Sequence, residues 1–161
     1  VWLLPTANPT IEELVRQAIG QVPTWLKIIP GHSRAVMTVA RAGLLASGSA
    51  TLEAALLGLP HLICYRLNPF DYWLGKTLLR LGLIKVGFFG LPNLIVQRPI
   101  VAEFLQDQVQ VESLTQAFAP LVLEGPTREQ ALQDLGQVRQ ALGKPGVIAQ
   151  VAHFVEELVE R

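Results

Sequence analysis

An apolar run, a loop of small residues, a helical segment and a second apolar run follow one another in the chain, and this order constrains the fold most. The runs are Gly43–Ala46 and His61–Tyr65, and the helical segment between them ends in the usual order at Gly58 and Pro60. Two strands joined through one helix by tight connections are typical of a parallel sheet. The sequence therefore predicts an α/β fold in which Gly43–Ala46 is a buried strand.

The flanking sequence predicts further strands and helices. On the amino-terminal side we expect a strand end at 1–4, a helix capped by Thr10 and ended by Gly20, a short apolar run at 25–29, and a helix capped by Ser33 that reaches about residue 41. On the carboxyl-terminal side we expect a helix at 69–81 opened by Asn68, a strand at 84–86, an irregular loop at 88–99, and helices at about 99–106, 111–123, 127–142 and 147–160. These elements make one domain over residues 1–161, with a sheet part at about 1–98 and a helical tail at about 99–161.

Composition excludes several classes of protein. Half of the 161 residues are hydrophobic and 16% are charged, with a formal net charge of zero, which excludes a disordered chain and gives no reason to expect nucleic acid as a partner. The single cysteine, Cys64, excludes a disulfide framework and a cysteine zinc site. The sequence contains no window of 18 uninterrupted apolar residues, so it does not predict a transmembrane helix. The chain begins without Met inside an apolar run, so we interpret it as a fragment of a longer protein.

Motifs of several chemistries are absent from the sequence. It contains no nucleophile elbow, no Gly-x-x-x-x-Gly-Lys phosphate loop and no Gly-x-Gly-x-x-Gly fingerprint. Its aspartates lie far apart and its three histidines lack ligand spacing. We therefore expect neither a metal nor a cofactor.

The strongest signal for function is the small-residue loop between the first apolar run and the helix. It consists of Ser47, Gly48, Ser49, Ala50 and Thr51. Ligands of open α/β sheets bind at the carboxyl ends of the strands, where the first turn of a helix offers unpaired N–H groups and a partial positive charge. The loop therefore favours a phosphate, and the alternative is an ordinary helix capped by Ser49.

Glu53 lies one turn into the same helix. A capping box from Ser49 would place its acid at Leu52, so such a box does not explain Glu53. A carboxylate at this position can accept hydrogen bonds from the two hydroxyls of a ribose beside a bound phosphate. The alternative, equally open, is that Glu53 only complements the helix dipole.

Residues 64–100 combine positive charge with apolar and aromatic residues. They contain five basic residues against one acidic residue, a net charge of +4, and Lys76 and Arg80 form a basic edge beside the apolar side of the helix expected at 69–81. Such a mixture suits a membrane surface or an anionic ligand. Packing of this helix in the core is the alternative.

Four blocks of the sequence, in order, resemble the carboxyl-terminal half of the lipid-A-disaccharide synthase family. They are residues 46–55 (ASGSATLEAA), 58–60 (GLP), 65–74 (YRLNPFDYWL) and 91–94 (LPNL). The resemblance implies a Rossmann-like, UDP-binding half of a GT-B glycosyltransferase, with a parallel sheet and carboxyl-terminal helices. It also implies that the general base belongs to an amino-terminal GT-B domain absent from this chain, so the fragment alone would be inactive.

The resemblance further implies substrates and residue roles. The family transfers 2,3-diacylglucosamine from UDP to a lipid monosaccharide phosphate with inversion, at the cytoplasmic side of the inner membrane, for lipid A of the bacterial outer membrane. By this likeness the loop Ser47–Thr51 would hold the diphosphate without a metal and Glu53 the ribose. Arg66, Asn93 and Arg98 would contact the leaving group or the sugar. The likeness leaves room for a homodimer.

Two blocks depart from the usual family pattern. The family usually has Ser-Gly-Thr where this chain has Ser47-Gly48-Ser49, which retains the hydroxyl. It usually has Ala-Gly-Arg-Glu where residues 96–99 read VQRP, so the resemblance does not carry the family's sugar or acceptor contacts of that loop over to this chain. Two other functions stay open: another UDP-sugar GT-B enzyme, such as an N-acetylglucosaminyltransferase or an epimerase, and a non-catalytic module that binds a nucleotide or lipid.

Overall fold

The computed structural model describes residues 1–66, 68, 87–143, 146, 151, 152, 154–156 and 158, and their strands form two parallel sheets. Strands β1 (Trp2–Thr6) and β2 (Leu26–Pro30) pair in the first sheet. Strands β3 (Gly43–Ala46), β4 (His61–Tyr65) and β5 (Glu103–Leu105) make the second, with β4 in the middle. The expected α/β class with parallel, Rossmann-like sheets is confirmed.

Helices connect and cover these strands. Their bounds are α1 (Pro9–Ile19), α2 (Ser33–Val39), α3 (Ser49–Leu56), α4 (Leu91–Val96), α5 (Val111–Val122) and α6 (Pro126–Leu142), and a 3₁₀ turn spans Gln106–Gln108. The predictions for β1, α5 and α6 are confirmed within a few residues, as are the strands and helix of the central unit, and the apolar run expected at 25–29 overlaps strand β2. Strand β3, however, is half-buried rather than buried, because its residues alternate between partly covered and exposed.

The amino-terminal caps of three helices differ from the predictions. Asn8, not Thr10, caps α1, since its Oδ1 accepts from the Ile11 N–H at 2.9 Å. His32 rather than Ser33 precedes α2, and its side chain makes no capping hydrogen bond. Gly48, not Ser49, occupies the cap of α3. The expected ends of α1 at Gly20 and of α3 before Gly58 are confirmed, both glycines having positive φ.

The structure corrects two predictions in the segment 88–106. The irregular loop expected at 88–99 contains helix α4, and the helix expected at 99–106 is replaced by β5 and the start of the 3₁₀ turn. Pro92 in the first turn suits the start of α4, because proline lacks an N–H and the N–H groups of a first turn have no partner within the helix. Residues 103–105 pair with β4 from Ile63 to Tyr65, so long-range pairing outweighs local helical pattern there.

The core lies between the second sheet and helices α3, α4 and α6. Its buried members come from all these parts of the chain: Ala55, Ile63, Val101, Leu135 and Val138, with Leu52, Ile95, Val96 and Ile100 packed around them. On the other side, the ring of Phe118 in α5 stacks on Trp2 of β1, with centroids 5.3 Å apart. The helices after β5 thus pack on the chain's own sheets.

Three predicted elements lie mainly outside the described residues. They are the helix at 69–81, the strand at 84–86 and most of the helix at 147–160. In the described part of the chain, every helix is too short or too polar to cross a membrane.

Candidate functional site

The carboxyl ends of β3, β4 and β5 lie at one edge of the second sheet. Ala46 pairs with Cys64, and Cys64 pairs with Phe104, so the segments that follow the strands emerge side by side. After β3 the chain enters the loop Ser47-Gly48 and then α3. This is the edge at which open α/β sheets bind their ligands.

Gly48 shapes the turn from β3 into α3. Its backbone has φ 152° and ψ −170°, a conformation essentially restricted to glycine. Ser49 and Ala50, which follow it, are exposed. Because the first N–H groups of a helix have no partner within the helix, this exposed turn offers donors to an anion.

Thr51 is turned inward at the same turn. Its side chain is fully buried, its Oγ1 donates to the Gly48 carbonyl at 2.7 Å, and its N–H donates to the same oxygen at 3.1 Å. Both donors of Thr51 therefore hold the shape of the loop. The donors that remain on the outer side belong to Ser49 and Ala50.

A second helix start lies beside this loop. Ser47 Oγ donates to the Phe89 carbonyl at 3.1 Å, which joins the loop to the segment before α4. The Glu103 carboxylate accepts from the N–H groups of Phe89 at 2.8 Å and Gly90 at 2.9 Å. Glu103 thus fixes the start of α4 next to the start of α3.

The buried side chain of Asn93 holds α4 against β5 and the residues before it through hydrogen bonds. Its side chain is 1% exposed, and its Nδ2 donates at 2.7 Å both to the Val101 carbonyl and to Glu103 Oε1. Its Oδ1 accepts from the Val101 N–H at 2.8 Å. The amide therefore makes three hydrogen bonds within the protein, and these position the start of α4.

An open groove of about 490 Å³ runs along the outer face of α3. Its lining comes from α2, α3, the turn after α3, and α6: Arg34, Ser49, Leu52, Glu53, Leu56, Leu57 and Arg139. Ser49 and Glu53 lie one turn apart on one face of the helix. The groove therefore connects the exposed start of α3 with the half-buried carboxylate of Glu53.

The two predicted arginines lie at different edges of the sheet. Arg66 follows β4 at the carboxyl edge, where its Nη2 donates to the Val109 carbonyl at 3.0 Å. Arg98 lies between α4 and β5, and its Nη2 donates to Gln137 Oε1 at 2.8 Å and to Asp134 Oδ1 at 3.2 Å. Because β5 runs parallel to β4, the segment before β5 lies toward the amino edge. The loop and Arg66 thus lie at the carboxyl edge, and Phe89 and Glu103 link the loop to Asn93, whereas Arg98 lies toward the amino edge.

Comparison with models of known protein families gives a match over most of the chain. The sequence model of a family described as lipid-A-disaccharide synthetase matches residues 2–157. The chain belongs to this family.

Individual relatives agree with the family match. The lipid-A-disaccharide synthase of Enterobacter sp. (strain 638) is 36% identical over 135 residues, which cover 84% of this chain and 34% of the relative. That of Acidobacterium capsulatum is 35% identical over 176 residues, which cover 99% of this chain and 42% of the relative. The chain thus spans about a third to two fifths of the length of these relatives.

Sequence reasoning missed two residues of this candidate site. Glu103 is an acid inside the apolar run 100–105, and this isolated charge was the available signal for a carboxylate held by the fold. Arg34 gave no signal, because only the fold places it in the same groove as Glu53.

Other titratable groups near the sheet do not form a metal site. Among the described residues, no group of three His, Cys, Asp or Glu side chains could hold a metal ion. Burial lowers the pKa of His61, partly offset by the hydrogen bond of its Nδ1 to the Leu59 carbonyl at 2.8 Å. Burial raises the pKa of the Cys64 thiol on β4.

Proposed function

We propose that the chain is the UDP-binding part of a glycosyltransferase of lipid A biosynthesis. In this proposal the whole enzyme transfers 2,3-diacylglucosamine from UDP to a lipid monosaccharide phosphate, with inversion at the sugar. The observation that supports the proposal is the exposed start of α3 at the carboxyl edge of the sheet, with Glu53 one turn away, in a member of the lipid-A-disaccharide synthase family.

The proposed mechanism assigns the diphosphate to the first turn of α3. The N–H groups of Ser49 and Ala50, the Ser49 hydroxyl and the helix dipole stabilise the charge that develops on the leaving UDP, and no metal is required. Gly48 lets the anion approach the backbone. Glu53 accepts from the ribose hydroxyls.

The fixed neighbours of the loop limit its reorganisation during the reaction. Ser47 ties it to Phe89, and Glu103 holds Phe89 and Gly90 in turn. Donors that are already oriented stabilise developing charge without further reorganisation. In this proposal a group outside this chain activates the attacking hydroxyl.

The proposal includes a place for the enzyme in the cell. We propose that it works in the cytoplasm at the surface of the inner membrane, because its lipid substrates reside there and residues 64–100 combine a net charge of +4 with apolar side chains. Association as a homodimer stays an expectation.

Calorimetric titration with UDP tests the nucleotide site. Wild type should bind UDP with equal affinity with and without a metal chelator, and Glu53→Gln should weaken binding by about 1.5–3 kcal/mol, the usual contribution of a hydrogen bond to a charged group. Glu112→Gln makes the same change in the first turn of α5, away from the groove, and should bind like wild type. Absence of UDP binding by wild type would contradict the proposal, and equal binding by Glu53→Gln would remove Glu53 from the site.

A further inference from the structure

Two opposite charges line the α3 groove without contacting each other. Arg34 lies on α2 and Glu53 on α3, and both side chains form walls of the same groove. Within the described part of the chain, neither side chain forms a hydrogen bond or an ion pair. An arginine and a glutamate that share a groove but stay unpaired are available to a ligand placed between them.

The other arginines near the site already have partners. Arg66 donates to the Val109 carbonyl, and Arg98 is engaged by Asp134 and Gln137 on α6. Arg139, at the far end of the groove, donates to the Leu56 carbonyl at the end of α3. Among the described arginines that line the groove or were predicted for the site, only Arg34 makes no hydrogen bond or ion pair through its side chain.

The position of Arg34 in the fold supports an anionic partner. Strand β2 ends at Pro30, and Arg34 is the second residue of α2, so it lies just beyond the carboxyl end of the first sheet. The groove it lines includes Ser49, the first residue of α3. Arg34 and the turn that offers backbone donors thus line one groove, so Arg34 can add a charged donor for the same anion.

We infer that Arg34 is a binding residue that donates to the diphosphate of the bound nucleotide, while Glu53 accepts from its ribose. This inference rests on the proposed function, because it assigns a further contact in the same UDP site. A planar guanidinium with several N–H donors suits bidentate contact with phosphate oxygens better than an ammonium does. The cation beside the leaving group is then Arg34, not Arg98.

Titrations with three ligands separate the two charges of the groove. UDP, 2′-deoxy-UDP and inorganic pyrophosphate are titrated into wild type, Arg34→Ala, Arg34→Lys and Glu53→Gln, with pyrophosphate measured by its displacement of UDP. Arg34→Ala should weaken all three ligands by about 10- to 100-fold, as expected for one charge-assisted contact. Arg34→Lys should recover part of this loss. Glu53→Gln should weaken UDP but leave pyrophosphate unchanged.

A matched control and the opposing outcomes complete the test. Lys27→Ala removes one positive charge from an exposed position on β2 and should bind all three ligands like wild type. Equal affinities of Arg34→Ala and wild type would overturn the inference while leaving the proposed function intact. Unchanged pyrophosphate binding by Arg34→Ala with weakened UDP would also overturn it, because the contact would then involve the nucleoside. If wild type bound no UDP, the proposed function itself would fail.

Discussion

Replacing Asn93 tests whether one buried amide holds the second helix start in place. Asn93→Ala removes two hydrogen bonds to the Val101 backbone and one to the Glu103 carboxylate. Neutral hydrogen bonds contribute about 1 kcal/mol each and one to a charged group about 1.5–3 kcal/mol. The free energy of unfolding should therefore fall by about 4 kcal/mol, a large part of the 5–15 kcal/mol that is typical of a domain.

Urea unfolding followed by circular dichroism measures this loss. With a slope of about 2 kcal/mol per molar urea, the midpoint of Asn93→Ala should fall by about 2 M. Asn8→Ala provides the control, because it removes a single hydrogen bond at the exposed cap of α1 and should cost about 1 kcal/mol. Asn93→Asp keeps the volume but faces the Glu103 carboxylate, so it should lose at least as much as Asn93→Ala. A midpoint for Asn93→Ala no lower than that of Asn8→Ala would refute the reasoning.

Two further predictions concern packing and pH. A Cβ on Gly90 would lie 2.2 Å from Ile63 Cδ1 and 3.1 Å from Glu103 Oε1, so Gly90→Ala should destabilise the chain by about 1–3 kcal/mol. A Cβ on Gly136 in α6 would meet open space, so Gly136→Ala should stabilise the chain by about 0.5–1 kcal/mol. Thermal unfolding of the two variants checks this, and a stable Gly90→Ala would contradict the close packing. Burial lowers the pKa of His61, so the unfolded chain binds this proton more readily and stability should decline as the pH falls below about 6.5. In urea unfolding between pH 7.5 and 5.5, His61→Phe should lose less stability than wild type, while His32→Gln at an exposed position should follow wild type. Equal losses of stability in wild type and His61→Phe would contradict the proposed protonation of His61 on unfolding.

The central strand–helix–strand unit could be predicted from the sequence because local rules specify it. Strands of four and five residues flank one short helix, and Gly58 ends that helix with φ 72°. The loop at Gly48 was predicted for the same reason, since its unusual backbone requires glycine. The sequence did not show which way the Thr51 side chain points. Its hydroxyl turns into the loop, and only the packing of α3 decides this.

Helix α4 and strand β5 could not be predicted because partners distant in sequence determine them. The run 100–105 has no feature that excludes a helix, yet its backbone pairs with β4 and its Val101 binds Asn93 eight residues earlier. Glu103 reaches back to Phe89 and Gly90. A local pattern contains none of these contacts.

The same distinction separates the residues of the candidate site. Ser49 and Glu53 share one helix, so their spacing alone places them on one face. Arg34 joins them through the packing of α2, and Ser47 meets Phe89 across 42 residues of sequence. In the proposed site, a ligand at the start of α3 would therefore be positioned by side chains of two kinds, those that helical spacing predicts and those that only the fold brings near. Substitutions of the second kind should change affinity with little effect on α3 itself, because the substituted residues lie outside that helix.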